Sequence, residues 1–175
     1  MHDSVFIHKR IPFRKLRANV LPLWHFNGQA RNENFQNSLR IAQVLKNNIE
    51  VRKNIYINNH NVNNIMSIQR NKNNWNGIFG VQSYINYDFL CKLQQKYSIF
   101  NMLQRVHSRP DRCCLERIMG VLFWLEDPIV RAIPSLFGDI TKTPDNFGLS
   151  FDGYMLQMNQ HGRPKTGYVK VWTGR

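Results

Sequence analysis

The chain has 175 residues, which is enough to bury one hydrophobic core and cramped for two. A hydrophobic fraction of 42% with 12% aromatic residues is that of a globular fold and argues against disorder along the whole chain. Lys and Arg number 24 against 11 Asp and Glu, and the resulting charge of +13 calls for an anionic partner: nucleic acid, anionic membrane, a nucleotide diphosphate or an acidic protein segment.

The three cysteines, Cys91, Cys113 and Cys114, are odd in number, and two are adjacent on an expected helix, where their side chains diverge. A disulfide framework and a zinc-type CxxC pair are both missing from this pattern, so a reducing compartment, the cytoplasm, is expected. The start, "MHDSVFIHKRIPFRKLRANVLPLW", lacks the continuous apolar stretch of a signal peptide. The run "VLFWL" falls far below the roughly 20 residues that span a bilayer, so no transmembrane segment is expected.

A single domain over residues 1–175 is expected, with elements in the following order. "SVFIHKRIPF" is β-branched and aromatic and ends at Pro12, which predicts a short strand and a turn. "ENFQNSLRIAQVLK", residues 33–46, sets Phe35, Leu39, Ala42 and Leu45 at helical spacing, with Gln36, Gln43 and Lys46 outward and Asn47 and Asn48 as the stop. "IEVRKNIYI" predicts one or two short strands, and the Asn-rich stretch 58–76 a surface loop. In "WNGIFGVQSYINYDFLCKLQQKY" a strand passes into a helix, with Asn86 as N-cap, Asp88 favourable in the first turn, and Phe89, Leu90, Leu93 and Tyr97 as the buried stripe. Ser108 and Asp111 form a capping-box pattern around Pro110, opening a helix that Asp127 and Pro128 close. "PSLFGDI" and "TGYVKVWTGR" predict short strands or entries to strands, the second with Val169 and Val171 alternating against Tyr168, Lys170 and Trp172. Helices and strands are mixed, so the class is α/β.

Glu116 stands out within an otherwise apolar helix. It either pairs with Arg112 one turn back, with Arg117 beside it, or it is the carboxylate of an active site. Gly120, one turn on, costs helix propensity by roughly 1 kcal/mol against alanine, so something packs or binds close to that face. A carboxylate among arginines favours its charged form and can take a proton from a hydroxyl held within hydrogen-bond reach. In "WNGIFG", Gly77 and Gly80 permit close approach of a ligand to the backbone, and Trp75 offers a flat face for a sugar or base; the plainer reading is a bulge with Trp75 in the core. Asp3 is either an oxygen ligand for magnesium or manganese or a solvated acid. Asp139, after Gly138, either holds a substrate hydroxyl or caps a turn. His60, His107 and His161 read as surface histidines. The stretch "HKRIPFRKLR" is a second reading of function, a basic RNA- or DNA-binding footprint in which Phe13 could stack a base, though no known nucleic-acid motif accompanies it. A noncatalytic partner subunit completing a sheet edge is the third.

The segments "WNGIFGVQSYI", "RPDRCCLERIMGVLF", "SLFGDI" and "KVWTGR", in this order, resemble the C-terminal half of the nucleotide-sugar glycosyltransferases with the type A fold met in giant viruses and microbes. The resemblance implies an incomplete type A mixed sheet with flanking helices, and transfer of a sugar from a nucleotide diphosphate sugar to a hydroxyl acceptor. It gives Glu116 the place of the catalytic base and Trp75, Gly77 and Gly80 the acceptor wall, while Arg112, Arg117 and Asp139 are expected beside them as contacts to substrate. Asp3 falls near the family's DxD, which implies Mn2+ or Mg2+, although "HDS" has one acid where that motif has two. The family's nucleotide-binding half, with its Gly-rich and parallel-strand pattern, has no counterpart here, so a missing N-terminal half is expected.

Overall fold

A computed structural model describes residues 4–11, 16–27, 32–60, 75–143, 148–163 and 168–172. The chain is mixed α/β and divides into two compact units, one of residues 18–138 and one of residues 1–17 with 139–175. No described helix is long and apolar enough to cross a membrane.

In the unit of residues 18–138, two short strands, β2 (Val20–Pro22) and β3 (His25–Asn27), run in succession. Each pairs antiparallel with one strand of the segment that returns later: β3 with β4 (Asn76–Ile78), and β2 with β5 (Ser83–Ile85). The bonds from Leu23 N to Gln82 O, 2.8 Å, and from Phe79 N to Trp24 O, 3.2 Å, carry the pairing past the tight turn Phe79–Val81 between β4 and β5. The far edge of the first segment is taken by "PSLFGDI", whose Leu136 and Phe137 amides donate to Pro22 O and Leu23 O, each at 2.8 Å. That stretch therefore behaves as the expected entry to a strand without becoming one.

The helices of this unit are α1 (Asn32–Ala42), α2 (Asn48–His60), α3 (Tyr87–Tyr97), α4 (Arg109–Glu126) and the short α5 (Pro128–Ala132). α1 ends four residues before the expected stop at Lys46, but its stripe holds: Phe35, Ala42 and Leu45 are buried, Gln36, Gln43 and Lys46 exposed, and Asn47 turns the chain at φ 51°. Residues 49–57, expected as strands, belong to α2. Burial explains the correction: Val51 and Ile55, one helical turn apart, are both in the core, whereas Ile49 and Ile57, which a strand would place with Val51, are exposed. The expected loop 58–76 is shorter than its composition indicates, since residues 58–60 continue α2 and Asn76 opens β4; residues 61–74 lie outside the described residues.

α3 starts as expected, with the Asn86 side chain accepting from Asp88 N. α4 starts with the full capping box, the Ser108 hydroxyl accepting from Asp111 N while the Asp111 carboxylate accepts from Ser108 N. α4 is the central rod of this unit. Cys114, Ile118, Met119, Val121, Leu122 and Phe123 are all buried along it, each large apolar side chain there contributing about 1.5–3 kcal/mol.

In the other unit, β1 (Ser4–Ile7) and β6 (Leu149–Ser150) flank β7 (Tyr168–Trp172), antiparallel and parallel respectively, giving a small mixed sheet beside α6 (Phe151–His161). The expected alternation in β7 fails at Lys170, which is buried together with Val171 in the strand that lies between β1 and β6.

Candidate functional site

The site is built on α4 from its glycine outward. A Cβ on Gly120 would stand 2.1 Å from Asn76 O and 3.2 Å from the Gly77 Cα, so only glycine lets the backbone of β4 lie directly on the helix. The strand itself is therefore what packs on the face that the sequence marks with Gly120. Glu116 lies one turn toward the N-terminus on that face, and the chain leaving β4 passes over it.

There the Phe79–Val81 turn meets the carboxylate: the Gly80 amide donates to Glu116 Oε1 at 3.0 Å. Gly80 has φ 63° and Val81 φ 57°, and Gln82 N donates to Phe79 O at 3.2 Å, the pattern of a type I′ turn. Glycine accepts such a conformation freely, but a β-branched residue does so at a cost of about 1–3 kcal/mol. Val81 is half-buried and packs on the main core, a gain of about 1 kcal/mol that helps to offset the strain.

The remaining expected residues separate into those that join this arrangement and those that do not. Arg117 joins it. Its guanidinium lies 5.2 Å above the centre of the Phe26 ring, and Nη1 donates to Cys113 O at 2.9 Å. Gly77 supports the same stack, since a Cβ there would meet Phe26 Cζ at 2.3 Å; it is a seat for an aromatic ring of β3. Arg112 is exposed on the first turns of α4.

Trp75 corrects the expectation of a stacking face, because it is 3% exposed and its Nε1 donates to Asn54 O of α2 at 3.1 Å. Asp139 caps a turn: Oδ1 accepts from Thr141 N at 2.9 Å and Thr141 Oγ1 at 2.7 Å, and the residue belongs to the other unit. Asp3 lies outside the described residues. Among the described residues no group of three or more His, Cys, Asp or Glu stands together as a candidate metal site.

The electrostatics around the carboxylate register on Cys113. Burial, and then the negative charge of Glu116, push its thiol up, while Arg117, Arg109 and Arg112 pull the other way. The net effect is a raised thiol, which favours its protonated form.

Phe26 and Val81 are the parts of the site that sequence reading misses. Neither carries a polar signal. Phe26 becomes visible only through its pairing with Gly77 across two strands, and Val81 only through its backbone conformation. The chain matches no family model, no curated protein and no solved structure.

Proposed function

We propose that the chain is the acceptor-side part of a glycosyltransferase, moving a sugar from a nucleotide diphosphate sugar to a hydroxyl, with Glu116 as the base. One observation carries the reading. The Gly80 amide and Glu116 Oε1, 36 residues apart in the chain, meet at 3.0 Å, and so join the two segments whose motifs give the resemblance.

A base must be held still relative to the proton it removes. The Gly80 N–H occupies one of about four acceptor positions of the carboxylate and turns the group on its helix. The acceptor hydroxyl, placed about 2.6–3.2 Å from the carboxylate, gives it the proton as its oxygen attacks the anomeric carbon. The bond from that carbon to the diphosphate breaks, and the nucleoside diphosphate leaves with the bonding pair. Arg112, exposed, and Arg117, stacked on Phe26, are the nearby cations that would meet the donor's negative charge. By the same resemblance the donor is held by a nucleotide-binding half and accompanied by Mn2+ or Mg2+, which would screen the leaving diphosphate. Trp75 and Asp139 have no part in this account. The three free thiols, Cys91, Cys113 and Cys114, are in keeping with a cytoplasmic setting.

The test is release of nucleoside diphosphate from a panel of nucleotide sugars, measured on the complete gene product with Mn2+ and mixed hydroxyl acceptors. Glu116→Gln keeps an acceptor for the Gly80 amide but a far weaker base, and its turnover should fall by about 10²–10⁴ with the thermal midpoint unchanged. A wild-type rate in that variant would remove Glu116 as the base, and no turnover of any nucleotide sugar by the wild type would remove the reading itself.

A further inference from the structure

We infer that Val81 is a positioning residue: its packing on the core holds the Gly80–Val81 pair in the left-handed conformation that aims the Gly80 amide at Glu116.

Three observations support this. Val81 is a β-branched residue at φ 57°, a conformation it reaches only when its surroundings impose it. Its side chain packs against the main hydrophobic core, which supplies that constraint. The turn is closed from the other side as well. A Cβ on Gly80 would find Gln82 Cγ at 3.4 Å and Cδ at 3.6 Å, so the Gln82 side chain folds back along the glycine, while Gln82 N closes the turn on Phe79 O at 3.2 Å.

The mirror-image turn, with negative φ at both central residues, would bend the chain with the opposite hand, so Phe79–Val81 could not link β4, paired with β3, to β5, paired with β2, and still keep the Gly80 N–H on Oε1. Among the non-glycine residues described, Asn47 and Ser98 also have positive φ, but Ser98 is the left-handed C-cap of α3 and Asn47, an asparagine that tolerates this region, lies in the turn just before α2. Val81 has no such role. In kinetic terms the inference rests on Glu116 being the base, whereas its structural part does not.

The experiment measures both. Amide NMR of the wild type across the titration of its carboxylates should show the Gly80 proton moving as Glu116 ionises, and Glu116→Gln should abolish that movement. Val81→Ala shortens the anchor but keeps a Cβ that disfavours positive φ, and should reduce the movement by at least half. Only two methyl groups leave a half-buried site, so the thermal midpoint should stay within about 4 °C. In the turnover assay the same variant should lower kcat about tenfold with donor KM unchanged, with the folded fraction at the assay temperature checked by circular dichroism, since a loss of folded enzyme also lowers the apparent kcat at constant KM. Val81→Ile, which keeps a β-branched anchor, should keep both signals. Should the alanine variant fail to fold, Val81→Thr, which keeps the shape but weakens the apolar packing, carries the same reading in the same direction.

A Gly80 signal and a kcat that stay at wild-type values in Val81→Ala or Val81→Thr would overturn the inference. If the wild type turns over no nucleotide sugar, the proposed function falls, while the Gly80 signal still decides the role of Val81.

Discussion

Asp111 and Glu116 are carboxylates on one helix with different tasks. Asp111 is buried and accepts from Asn37 Nδ2 at 2.5 Å, Arg40 Nη2 at 2.8 Å, Ser108 Oγ at 2.9 Å, and the amides of His107 and Ser108 at 3.0 Å each. The Asn37 bond first, then the His107 amide and Ser108, hold its carboxyl well below the usual carboxylate range, with the Arg40 charge adding to them. Because the folded value is depressed, the stabilisation is fully present above the unfolded value of about 3.9 and drains away as pH falls below it. Asp111→Asn should therefore melt well below the wild type at pH 7, and the gap should narrow as pH is lowered through 4 toward 2. A gap independent of pH would contradict the ionised role. Half of this cluster is legible from the spacing of Ser108 and Asp111. Asn37 and Arg40 are not, because they lie 74 and 71 residues away and meet Asp111 only after α1 has docked on α4. Glu116 repeats the lesson: its oddness within an apolar helix is plain in sequence, while its partner Gly80 comes from another element.

Helix starts are written locally, and α3 and α4 begin where Asn86 and Ser108 say they should. α2 is not readable this way. Its Ile, Val and Tyr content favours a strand, and the decision falls to the core, which takes Val51 and Ile55 from one face and ties Asn54 O to Trp75. The end of α4 is clamped to α3 through the half-buried Glu126, which accepts from Lys96 at 2.6 Å, the Tyr97 hydroxyl at 2.6 Å and Lys92 at 3.1 Å. Burial opposes its ionisation, but the bonds from Lys96, Tyr97 and Lys92 outweigh it and leave the carboxyl below its ordinary value. Burial and the neighbouring Glu126 push the Tyr97 hydroxyl up to about 12. These contacts fix the rod on which β4 rests, and the most exacting joint between them is Gly120. Gly120→Ala sets a Cβ 2.1 Å from a backbone oxygen that cannot rotate away. It should destabilise the protein by about 3 kcal/mol, seen as a lower denaturant midpoint, and should displace Gly80 from Glu116. A variant with wild-type stability would show that β4 does not lie on the helix as described.

At the scale of the molecule, the charge of +13 was the first signal and is the least specific. It attracts any polyanion through counterion release, so binding to RNA or DNA at low salt is expected whatever the function. The glycosyltransferase account predicts that such binding is indifferent to sequence and falls by orders of magnitude between about 50 and 200 mM salt, as binding through several phosphate contacts does. Tight, sequence-selective binding at 200 mM salt, lost when Arg10, Arg14 and Arg17 are neutralised, would favour the nucleic-acid reading instead. The mixed α/β class follows from the order of elements, whereas the division into two units joins the two ends of the chain and leaves no local mark in the sequence.

The account turns on proton removal by Glu116, and single-turnover kinetics isolate that step. With donor and acceptor bound to the complete gene product, Glu116→Gln should slow sugar transfer itself by about 10²–10⁴ while leaving donor binding unchanged. An unchanged rate of transfer in the variant would contradict it.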